Sequence, residues 1–385
     1  MGKARHVLVN ALSVGGGGGV TVARELANHI AAFRLDSRVT VALNPDNPLH
    51  RELAGGLTGE NCKAFECRGT GGWIARDRFE KRQLVQWATS QNVDSVLQLN
   101  GMVIPGMPIP SLAHCQNPFP YQPIAWDGWR DRYASALKRI AQGRSLPKAA
   151  YVGWTSGYLR DLICSSLRIS LPRQEVFYNG LPEHWMRSDA DIPALSTRPM
   201  EIITVSNVMP YKRQELVIRA MPLLIKQPGL ESLVYRIVGV ISPDYQRQLT
   251  ELARSLGVEG RIIIEGRIDD AAVTDRFQRA RAFIFMSVCE SFGIPAIEAM
   301  SLGTPAVVAN ICALPEVCAG AAEYVPPDNL EALVSAIARV LLDPARAAEL
   351  REKGLERIRH FSWKTTGARM ADVLDEIASA RGSAG

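Results

Sequence analysis

The sequence lacks several features that would place it in common protein classes. No apolar run in its 385 residues approaches the roughly 18 to 20 residues needed to cross a bilayer. The seven cysteines are odd in number and scattered, so they do not suggest the disulfide framework of a small secreted protein. Zinc-finger spacings, basic helical runs and aromatic ribonucleoprotein motifs are absent, which argues against nucleic acid as a partner. These absences favour a soluble protein of the reducing cytoplasm.

What is present is the composition of a large globular protein. Hydrophobic residues make up 47% of the chain and charged residues 22%. Because 385 residues exceed one ordinary core, we expect two domains. The net charge of +5 suits anionic ligands or an acidic membrane face. The segment Met1–Asn10 is basic and then apolar, but it leads into glycines and not into a signal cleavage site, so we interpret it as a first strand.

Apolar runs alternate with helical patterns in both halves, which predicts an α/β protein with doubly wound parallel sheets. Residues 181–199 are rich in proline, serine and aspartate and are predicted to be an interdomain linker. We therefore expect a first domain over residues 1–180, a second over 200–360, and a C-terminal helix over 361–385. Ligands of such sheets bind at the carboxyl ends of the strands. The strands expected in the first half are His6–Asn10, Arg38–Leu43, Val93–Leu99, Leu112–Cys115, Tyr151–Trp154 and Glu175–Tyr178.

The most informative segment follows the apolar run Ala282–Met286, which is typical of a buried strand. Gly293 lets the backbone approach a ligand closely, and Pro295 suits the first turn of a helix. Free amides and the positive end of the dipole at a helix start form a site for anions. Glu290 and Glu298 flank that site, and carboxylates accept hydrogen bonds from the hydroxyls of a sugar. The motif is Glu290-Ser291-Phe292-Gly293-Ile294-Pro295-Ala296-Ile297-Glu298.

This motif resembles the signature of the retaining glycosyltransferases of family 4, two glutamates separated by seven residues around a Phe-Gly-(Leu or Ile)-Pro core. The resemblance implies the GT-B fold, in which two Rossmann-like domains face a cleft and the C-terminal helix crosses back to the first domain. It also implies that Glu290 contacts the transferred sugar and that Glu298 holds the ribose hydroxyls. Contacts of the loop with sugar and phosphate are implied for Ser291, Phe292, Gly293 and Ile294.

The loop after the first strand of the second half carries a further family motif. Family members usually have an arginine in this loop and a lysine five residues later, both of which hold the diphosphate. Lys212 fills the second place, whereas Asn207 stands in the first, and the neighbouring Arg213 can share the task. The resemblance also places Arg267 and Ile268 beside the nucleobase. For Arg267, an ordinary solvated side chain at a strand end is the alternative.

Five consecutive glycines, Gly15–Gly19, lie between the first predicted strand and the first predicted helix. At this place an α/β domain brings its backbone against phosphate or sugar. The family has a glycine pair here, aligned with Gly17 and Gly18, that contacts the diphosphate and the acceptor. The glutamate and arginine that usually follow are replaced by Val20 and Thr21, which leaves acceptor binding open. A flexible surface loop is the alternative interpretation.

His114 is predicted to end a strand opposite the glycine stretch. It resembles the strand-end histidine of the family, which contacts the donor sugar near the reacting carbon. A structural role in the core is the alternative. Between Trp126 and Lys148 the chain is basic and carries aromatic residues, which predicts either a helix resting on an anionic membrane face or a solvated helix face.

The resemblance implies transfer of a hexose from a nucleoside-diphosphate sugar to a saccharide or lipid-linked saccharide, with retained anomeric configuration. Family habit suggests mannose from GDP-mannose, or a UDP- or dTDP-linked hexose, used for a surface polysaccharide at the inner face of the membrane. We expect no metal ion and no covalent nucleophile, so His114 and Glu290 would act on the sugar without bonding to it. Asp189-Ala190-Asp191 fits the metal-binding pattern of other transferases but falls in the predicted linker.

Three other functions can be compared with this one. A nicotinamide oxidoreductase needs glycine at the first, third and sixth positions of its fingerprint, and each frame of the Gly15–Gly19 run fails this test. A P-loop nucleotidase is disfavoured because no Gly-Lys-Ser or Gly-Lys-Thr follows the glycines. A catalytically silent nucleotide-sugar-binding homologue stays open, because Asn207, Val20 and Thr21 depart from the family pattern.

Overall fold

The computed structural model describes residues 5–33, 36–187 and 191–382. Within them the chain forms two compact units, each with its own parallel sheet. Unit 1 consists of the residues up to Tyr121, Gly128–Gly180, and the residues from Ser362 onward. Unit 2 consists of Gln122–Asp127 and Leu181–Phe361. The expectation of two α/β domains is confirmed, although one short segment of the first half belongs to the second unit.

Unit 1 is built on a seven-stranded parallel sheet. Its strands are β1 (His6–Asn10), β2 (Arg38–Leu43), β3 (Cys62–Glu66), β4 (Ser95–Gln98), β5 (Ser111–Cys115), β6 (Tyr151–Trp154) and β7 (Gln174–Val176). Its first six helices are α1 (Gly17–Phe33), α2 (Pro48–Gly55), α3 (Trp73–Phe79), α4 (Val85–Ser90), α5 (Trp129–Ser145) and α6 (Gly157–Leu167). The strand order β3-β2-β1-β4-β5-β6-β7 reverses between β1 and β4, where such sheets bind ligands at their carboxyl ends.

The start of α1 differs from the sequence expectation. The sequence pattern placed all of Gly15–Gly19 in a loop, but α1 begins at Gly17, so the last three glycines form its first turn. The amide of Val20 donates to the carbonyl of Gly16 at 3.1 Å. Val20 and Leu26 are buried on the face that packs into the core, and this packing offsets the entropic cost of glycine in a helix.

Unit 2 repeats the architecture with six strands. Its strands are β8 (Glu201–Val205), β9 (Val234–Val238), β10 (Ile262–Gly266), β11 (Ala282–Phe285), β12 (Ala306–Ala309) and β13 (Ala322–Val325), in the order β10-β9-β8-β11-β12-β13. Its helices are α7 (Gln214–Leu224), α8 (Pro243–Ser255), α9 (Asp270–Arg279), α10 (Ile294–Ser301), α11 (Leu314–Cys318), α12 (Leu330–Leu342) and α13 (Pro344–Arg357). The sheet order again reverses beside the first strand of the unit, between β8 and β11.

The last helix, α14 (Trp363–Gly382), belongs to unit 1. It packs against α1, which comes from the other end of the chain. Gly367 of α14 lies close against His29 of α1, and Met370, Val373, Leu374 and Ile377 of α14 are all buried. The core of unit 1 is therefore completed by residues that follow the whole of unit 2 in the sequence.

A buried arginine fixes the end of the predicted linker to unit 2. Arg198 is only 3% exposed, and its guanidinium donates to main-chain carbonyls and to one hydroxyl. Burial, followed by the charge of Arg351, lowers its pKa to about 10, so it stays charged at neutral pH. Because each buried donor finds an acceptor, the segment is held as part of a folded unit. The acceptors are the carbonyl oxygens of Pro193, Phe277, Ala280 and Leu302 and the hydroxyl of Thr304.

Across residues 5–33, 36–187 and 191–382, no helix combines the length and the apolar character that crossing a membrane requires. Each of the seven cysteines is a free thiol.

Candidate functional site

The predicted anion site lies where β11 leads into α10. Gly293 caps α10 with a left-handed φ of +97°, and a Cβ at this position would lie 2.7 Å from Cδ2 of Leu314. Only glycine fits this turn, since a side chain would be strained and would also clash. Pro295 occupies the first turn of the helix. The amides that start α10 therefore open onto the loop that carries Glu290.

The side chain of Phe292 holds the loop in place. The side chain of Phe292 is buried, and its ring meets that of Phe361 edge to face with 5.3 Å between the centroids. Ser291, which precedes it in the chain, is half-buried and therefore more exposed than Phe292. The Phe292 side chain therefore serves packing, so any contact of this residue with a ligand would be through its main chain.

Lys212 and Glu290 form an ion pair at the mouth of this turn. The ammonium of Lys212 donates to Oε1 of Glu290, and the two side chains are only 11% and 12% exposed. The ammonium also lies 5.3 Å from the ring centre of Tyr211 and 5.2 Å from that of Phe285, which is cation–π distance. The amide of Val288 donates to the carbonyl of Tyr211 at 2.9 Å and joins the two loops.

The charge on Lys212 survives this burial. Burial acts to lower the pKa of Lys212, but the Glu290 carboxylate and Tyr211 oppose it, and the net effect is a raised pKa. A desolvated ammonium attracts an anion strongly as a point charge once a ligand draws the carboxylate of Glu290 partly away from it. The sequence analysis gave the two residues separate roles, Lys212 at the diphosphate and Glu290 at the sugar; the structure brings them into contact.

The position of Asn207 is set by a close contact between two strand ends. Gly239, after β9, has φ of +143°, and a Cβ there would lie 1.7 Å from the carbonyl oxygen of Ser206. The amide of Ser206 donates to the carbonyl of Val238 at 3.0 Å, which holds the loops together. Asn207 is exposed at the tip of its loop. The loop is well anchored, but its tip offers an amide where the family has a cation.

Arg213 is engaged with acidic side chains. It adopts a left-handed φ of +58° as the residue before α7. Its Nε lies 3.1 Å from Oδ1 of Asp328, and its Nη1 lies 3.6 Å from Oε1 of Glu215. Neighbouring carboxylates therefore largely balance the positive charge of Arg213, which leaves less of this charge for a phosphate ligand.

Glu298 is a half-buried carboxyl on α10. Burial, followed by the charge of Asp270 at the start of α9, raises its pKa to about 8. The loop that precedes Asp270 contains Arg267, which is exposed, and Ile268, which is half-buried. The structure thus brings the two residues predicted near a nucleobase and the glutamate predicted near a ribose to neighbouring elements. At neutral pH the carboxyl of Glu298 carries a proton in most molecules.

His114 lies in unit 1, inside β5 and next to Gly153 of β6. It is 1% exposed, and its ring meets that of Phe177 edge to face at 6.2 Å. Burial lowers the pKa of His114 to about 3, against a small opposing effect of the Gly153 main chain, so the imidazole is neutral. Its Nδ1 has no hydrogen-bond partner within the described chain. A neutral, buried imidazole suits positioning better than proton transfer.

Two cavities open at the carboxyl ends of the unit 1 strands, with volumes of about 360 and 270 Å³. Ser13, Val14 and Gly15 of the β1–α1 loop lie in the walls of both, and Arg76 from α3 does so too. Gly17 and Gly18 lie one turn further on, in α1. Sequence reasoning missed Arg76, because α3 carries no motif and only the tertiary fold brings it beside the glycine stretch.

Metal-binding side chains do not converge in the residues that the structure describes. No three His, Cys, Asp or Glu residues there lie close enough to share an ion. Of the Asp-x-Asp pattern in the linker, Asp189 and Ala190 lie outside the described residues, and Asp191 is exposed.

Comparisons with known proteins agree with this architecture. Residues 187–357 match the family model for glycosyl transferases group 1. The chain is 31% identical over 183 residues to D-inositol 3-phosphate glycosyltransferase 2 of Catenulispora acidiphila, across 45% of this chain and 42% of the relative. It is 34% identical over 106 residues to O-antigen chain mannosyltransferase B of Escherichia coli, across 28% of each chain. The matches therefore span less than half the length of these curated relatives.

Solved structures resemble the chain over almost its whole length. Sucrose-phosphate synthase of Thermosynechococcus elongatus superposes with a TM-score of 0.79 at 19% identity and covers 98% of this chain and 100% of that one. Anabaena HepE, solved in complex with UDP and glucose, superposes with a TM-score of 0.75 at 18% identity and covers 96% and 98%. The chain has the GT-B fold of these proteins, and its residues 187–357, which contain the Lys212–Glu290 pair and Glu298, match the glycosyl transferases group 1 family.

Proposed function

We propose that the protein is a retaining hexosyltransferase that moves a hexose from a nucleoside-diphosphate sugar to a hydroxyl of a saccharide or lipid-linked saccharide. The observation that carries the proposal is the Lys212–Glu290 pair, nearly buried, beside the turn of Gly293 that starts α10. A cation, helix-start amides and a carboxylate are the groups needed to hold a diphosphate and an attached sugar. The family match over residues 187–357 supports the same activity.

In the proposed complex the diphosphate lies at the amide end of α10 and takes the ammonium of Lys212 as its main cation. Glu290 then turns its carboxylate toward the hydroxyls of the hexose. Glu298 receives the ribose hydroxyls, and Arg267 and Ile268 border the base. Because Asn207 provides no charge and Arg213 already pairs with Asp328, Lys212 carries most of the diphosphate binding.

Bond cleavage builds positive charge on the sugar ring and negative charge on the departing diphosphate. Fixed dipoles and charges aimed at the leaving group are the largest source of rate enhancement in such a reaction. Glu290 is held by Lys212, which favours positioning of the sugar over covalent attack. In the proposed retaining mechanism the leaving phosphate takes the proton of the acceptor on the same face of the sugar, and the neutral His114 contributes a hydrogen bond to the hexose.

Mannose from GDP-mannose is our first candidate donor, followed by a UDP-linked hexose. The first is motivated by the similarity to an O-antigen chain mannosyltransferase, and the second by the fold shared with a UDP-binding protein. The similarity to the O-antigen chain mannosyltransferase supports a role in the synthesis of a surface polysaccharide, which we place on the cytoplasmic side of the membrane; the seven free thiols fit that compartment.

The test is a screen of nucleotide sugars with the full chain, scored by hydrolysis and by transfer to simple glycosides. We expect one hexose donor to be turned over. An α-linked donor should give an α-linked product, and NMR of the product measures its anomeric configuration. We also expect activity to persist in excess EDTA, because no metal is required. An inverted product would refute the retaining mechanism, and activity lost to EDTA and restored by manganese would refute metal independence.

A catalytically silent nucleotide-sugar-binding protein is the second candidate function. It is motivated by the exposed Asn207 at the usual arginine position and by the ion pairs of Arg213. The same screen separates the two, since a silent homologue binds a donor without hydrolysing or transferring its sugar.

We also propose that unit 1 contacts an anionic membrane surface through α5. Large apolar side chains at four positions of one helical face are exposed, namely Trp129 (72%), Tyr133 (63%), Leu137 (50%) and Ile140 (53%). The helix Trp129–Ser145 carries one acid and the five basic residues Arg130, Arg132, Lys138, Arg139 and Arg144. An exposed apolar stripe flanked by cations matches the acyl and headgroup layers of an acidic bilayer.

Vesicle co-sedimentation checks this proposal. The full chain should bind phosphatidylcholine vesicles that contain about 30 to 40% phosphatidylglycerol, a fraction that provides several anionic lipids per cation. It should bind pure phosphatidylcholine vesicles weakly. Leu137→Ser combined with Ile140→Ser should weaken vesicle binding roughly tenfold, because two aliphatic side chains that would enter the acyl layer are lost. Leu342→Ser, which removes an exposed leucine of α12 in unit 2, is the control. Equal binding by the double variant and wild type would refute the α5 surface.

A further inference from the structure

The smaller cavity of unit 1, of about 270 Å³, has features that the proposed donor site does not use. Its walls come from the β1–α1 loop, from the segments that follow β4 and β5, and from α3 and α5. It therefore lies at the carboxyl edge of the sheet beside the reversal of strand order, where ligands of such sheets bind. All of the residues that line it belong to unit 1.

Two cations face this cavity without a partner. Arg76 of α3 is half-buried and Lys138 of α5 is exposed, and neither side chain forms a hydrogen bond or an ion pair with any described residue. The described residues that line the cavity include no aspartate and no glutamate. Two unpaired cations in one concave wall create a positive potential that favours an anion.

Glu80, an acid close to Arg76 in the chain, is hydrogen-bonded to another residue. Glu80 lies one turn further along the chain, in a π-helical turn, and is buried. Its carboxylate accepts a hydrogen bond from Nδ2 of Asn10 at 2.7 Å, on the core side. Burial raises the pKa of Glu80, against the effects of Asn10 and Arg76. Glu80 therefore interacts with Arg76 only at longer range and forms no ion pair with it.

The polar side chains of the same wall present hydrogen-bond donors. Oδ1 of Asn100 accepts from the amide of Met102 at 2.9 Å, and Oδ1 of Asn117 accepts from the amide of Phe119 at 2.9 Å. These contacts fix the orientation of both side-chain amides and leave their NH₂ groups as donors. Cations and NH₂ groups without acidic acceptors recognise a group that has several oxygen atoms and a negative charge.

We propose that this cavity binds the phosphate group of the acceptor, with Arg76 and Lys138 as its charged contacts. The phosphate belongs either to a soluble sugar phosphate or to a phosphate that links the saccharide to a lipid. This inference rests on the proposed function in naming the ligand an acceptor. The donor diphosphate is assigned to Lys212 in unit 2, so the two anion sites use different residues.

The test measures binding of matched neutral and phosphorylated probes to the full chain by isothermal titration calorimetry. Glucose 6-phosphate should bind at least about tenfold more tightly than glucose. Arg76→Gln and Lys138→Gln should each weaken the phosphorylated probe roughly tenfold, and the double variant should bind both probes alike. Arg132→Gln is the matched control, because it removes the same charge from α5 outside the cavity.

Two results would overturn the inference. One is equal affinity for glucose 6-phosphate in wild type and both cavity variants, and the other is an equal loss in Arg132→Gln, which would mean attraction to net charge alone. A third arm, dihexanoyl phosphatidic acid, identifies the source of the phosphate. Tighter binding of this lipid than of glucose 6-phosphate assigns the cavity to a lipid-linked acceptor, and the reverse order assigns it to a soluble one.

The same samples separate this inference from the proposed function. Nucleotide-sugar binding should be unchanged by Arg76→Gln, since Arg76 is not among the residues proposed to contact the donor. If the chain binds and transfers a nucleotide sugar but ignores phosphorylated probes, the acceptor inference is wrong and the transferase proposal stands. If phosphorylated probes bind through Arg76 while no nucleotide sugar binds, the proposed function is wrong and the anion cavity stands.

Discussion

Replacing Lys212 with methionine is expected to lower the turnover of sugar transfer by about 100- to 1000-fold, the usual effect of removing one donor to a leaving group. Lys212 is expected to supply most of the positive charge at the diphosphate, because Asn207 is uncharged and Arg213 pairs with Asp328. Steady-state kinetics on the donor found in the screen give the value. Lys226→Met, an exposed lysine beyond α7, is the control and should keep wild-type turnover.

Loss of Lys212 also affects the free protein. Methionine at this position leaves the Glu290 carboxylate largely buried without its partner, which costs about 1 to 3 kcal/mol of unfolding free energy. The double variant Lys212→Met with Glu290→Gln removes that unpaired charge and should recover part of the stability in urea unfolding. It should not recover turnover. Recovery of turnover in the double variant would show that folding, and not the missing cation, explains the loss.

The second large effect is a pH dependence of donor affinity set by Glu298. Its pKa of about 8 in the free protein means that most molecules must lose a proton before an ionised carboxylate can accept from the ribose hydroxyls. If the ionised form binds, affinity should rise about 10-fold for each pH unit between pH 6 and pH 8 and then level off. Titration calorimetry in two buffers of different ionisation enthalpy should detect release of a proton below pH 8.

Glu298→Gln and Asp270→Asn test the origin of that dependence. Glutamine does not titrate, so donor affinity of Glu298→Gln should be weak and flat over the same range. Asp270→Asn removes a neighbouring negative charge and should move the midpoint of the wild-type curve to lower pH. If the pH dependence of donor affinity were unchanged in both variants, the titrating group would be a residue other than Glu298.

The same group affects stability with a defined sign. The pKa of Glu298 is raised on folding from its ordinary value near 4.5 to about 8, so the folded state retains the proton more strongly. Its contribution to stability is complete below about pH 4.5 and is lost as the pH rises through 8. Glu298→Gln should therefore unfold at higher urea concentration than wild type at pH 9.

The sequence was sufficient for the elements whose pattern is local. The apolar run before Glu290, the Gly293 turn and Pro295 were enough to predict a strand, a loop and a helix at the right places, because each depends on neighbouring residues. Strand β3 was missed because it is an edge strand whose residues are mostly exposed and carry charges. Its pattern does not differ from that of a loop.

Features that depend on tertiary contacts were not predictable. The membership of Gln122–Asp127 in unit 2 follows from packing between distant parts of the chain. The start of α1 at Gly17 follows from burial of the helix face behind it, against the local preference of glycine. The pKa of Glu298 and the cavity position of Arg76 likewise arise from residues far apart in the sequence.

The packing of α14 on α1 has a consequence for biosynthesis. A ribosome that makes this chain delivers α1 early and α14 only after every residue of unit 2 has emerged. Until then the surface of α1 that contacts α14 has no cover, and exposed apolar surface of a nascent chain is a target for chaperones and for aggregation. The first unit to be translated is therefore the last to finish folding.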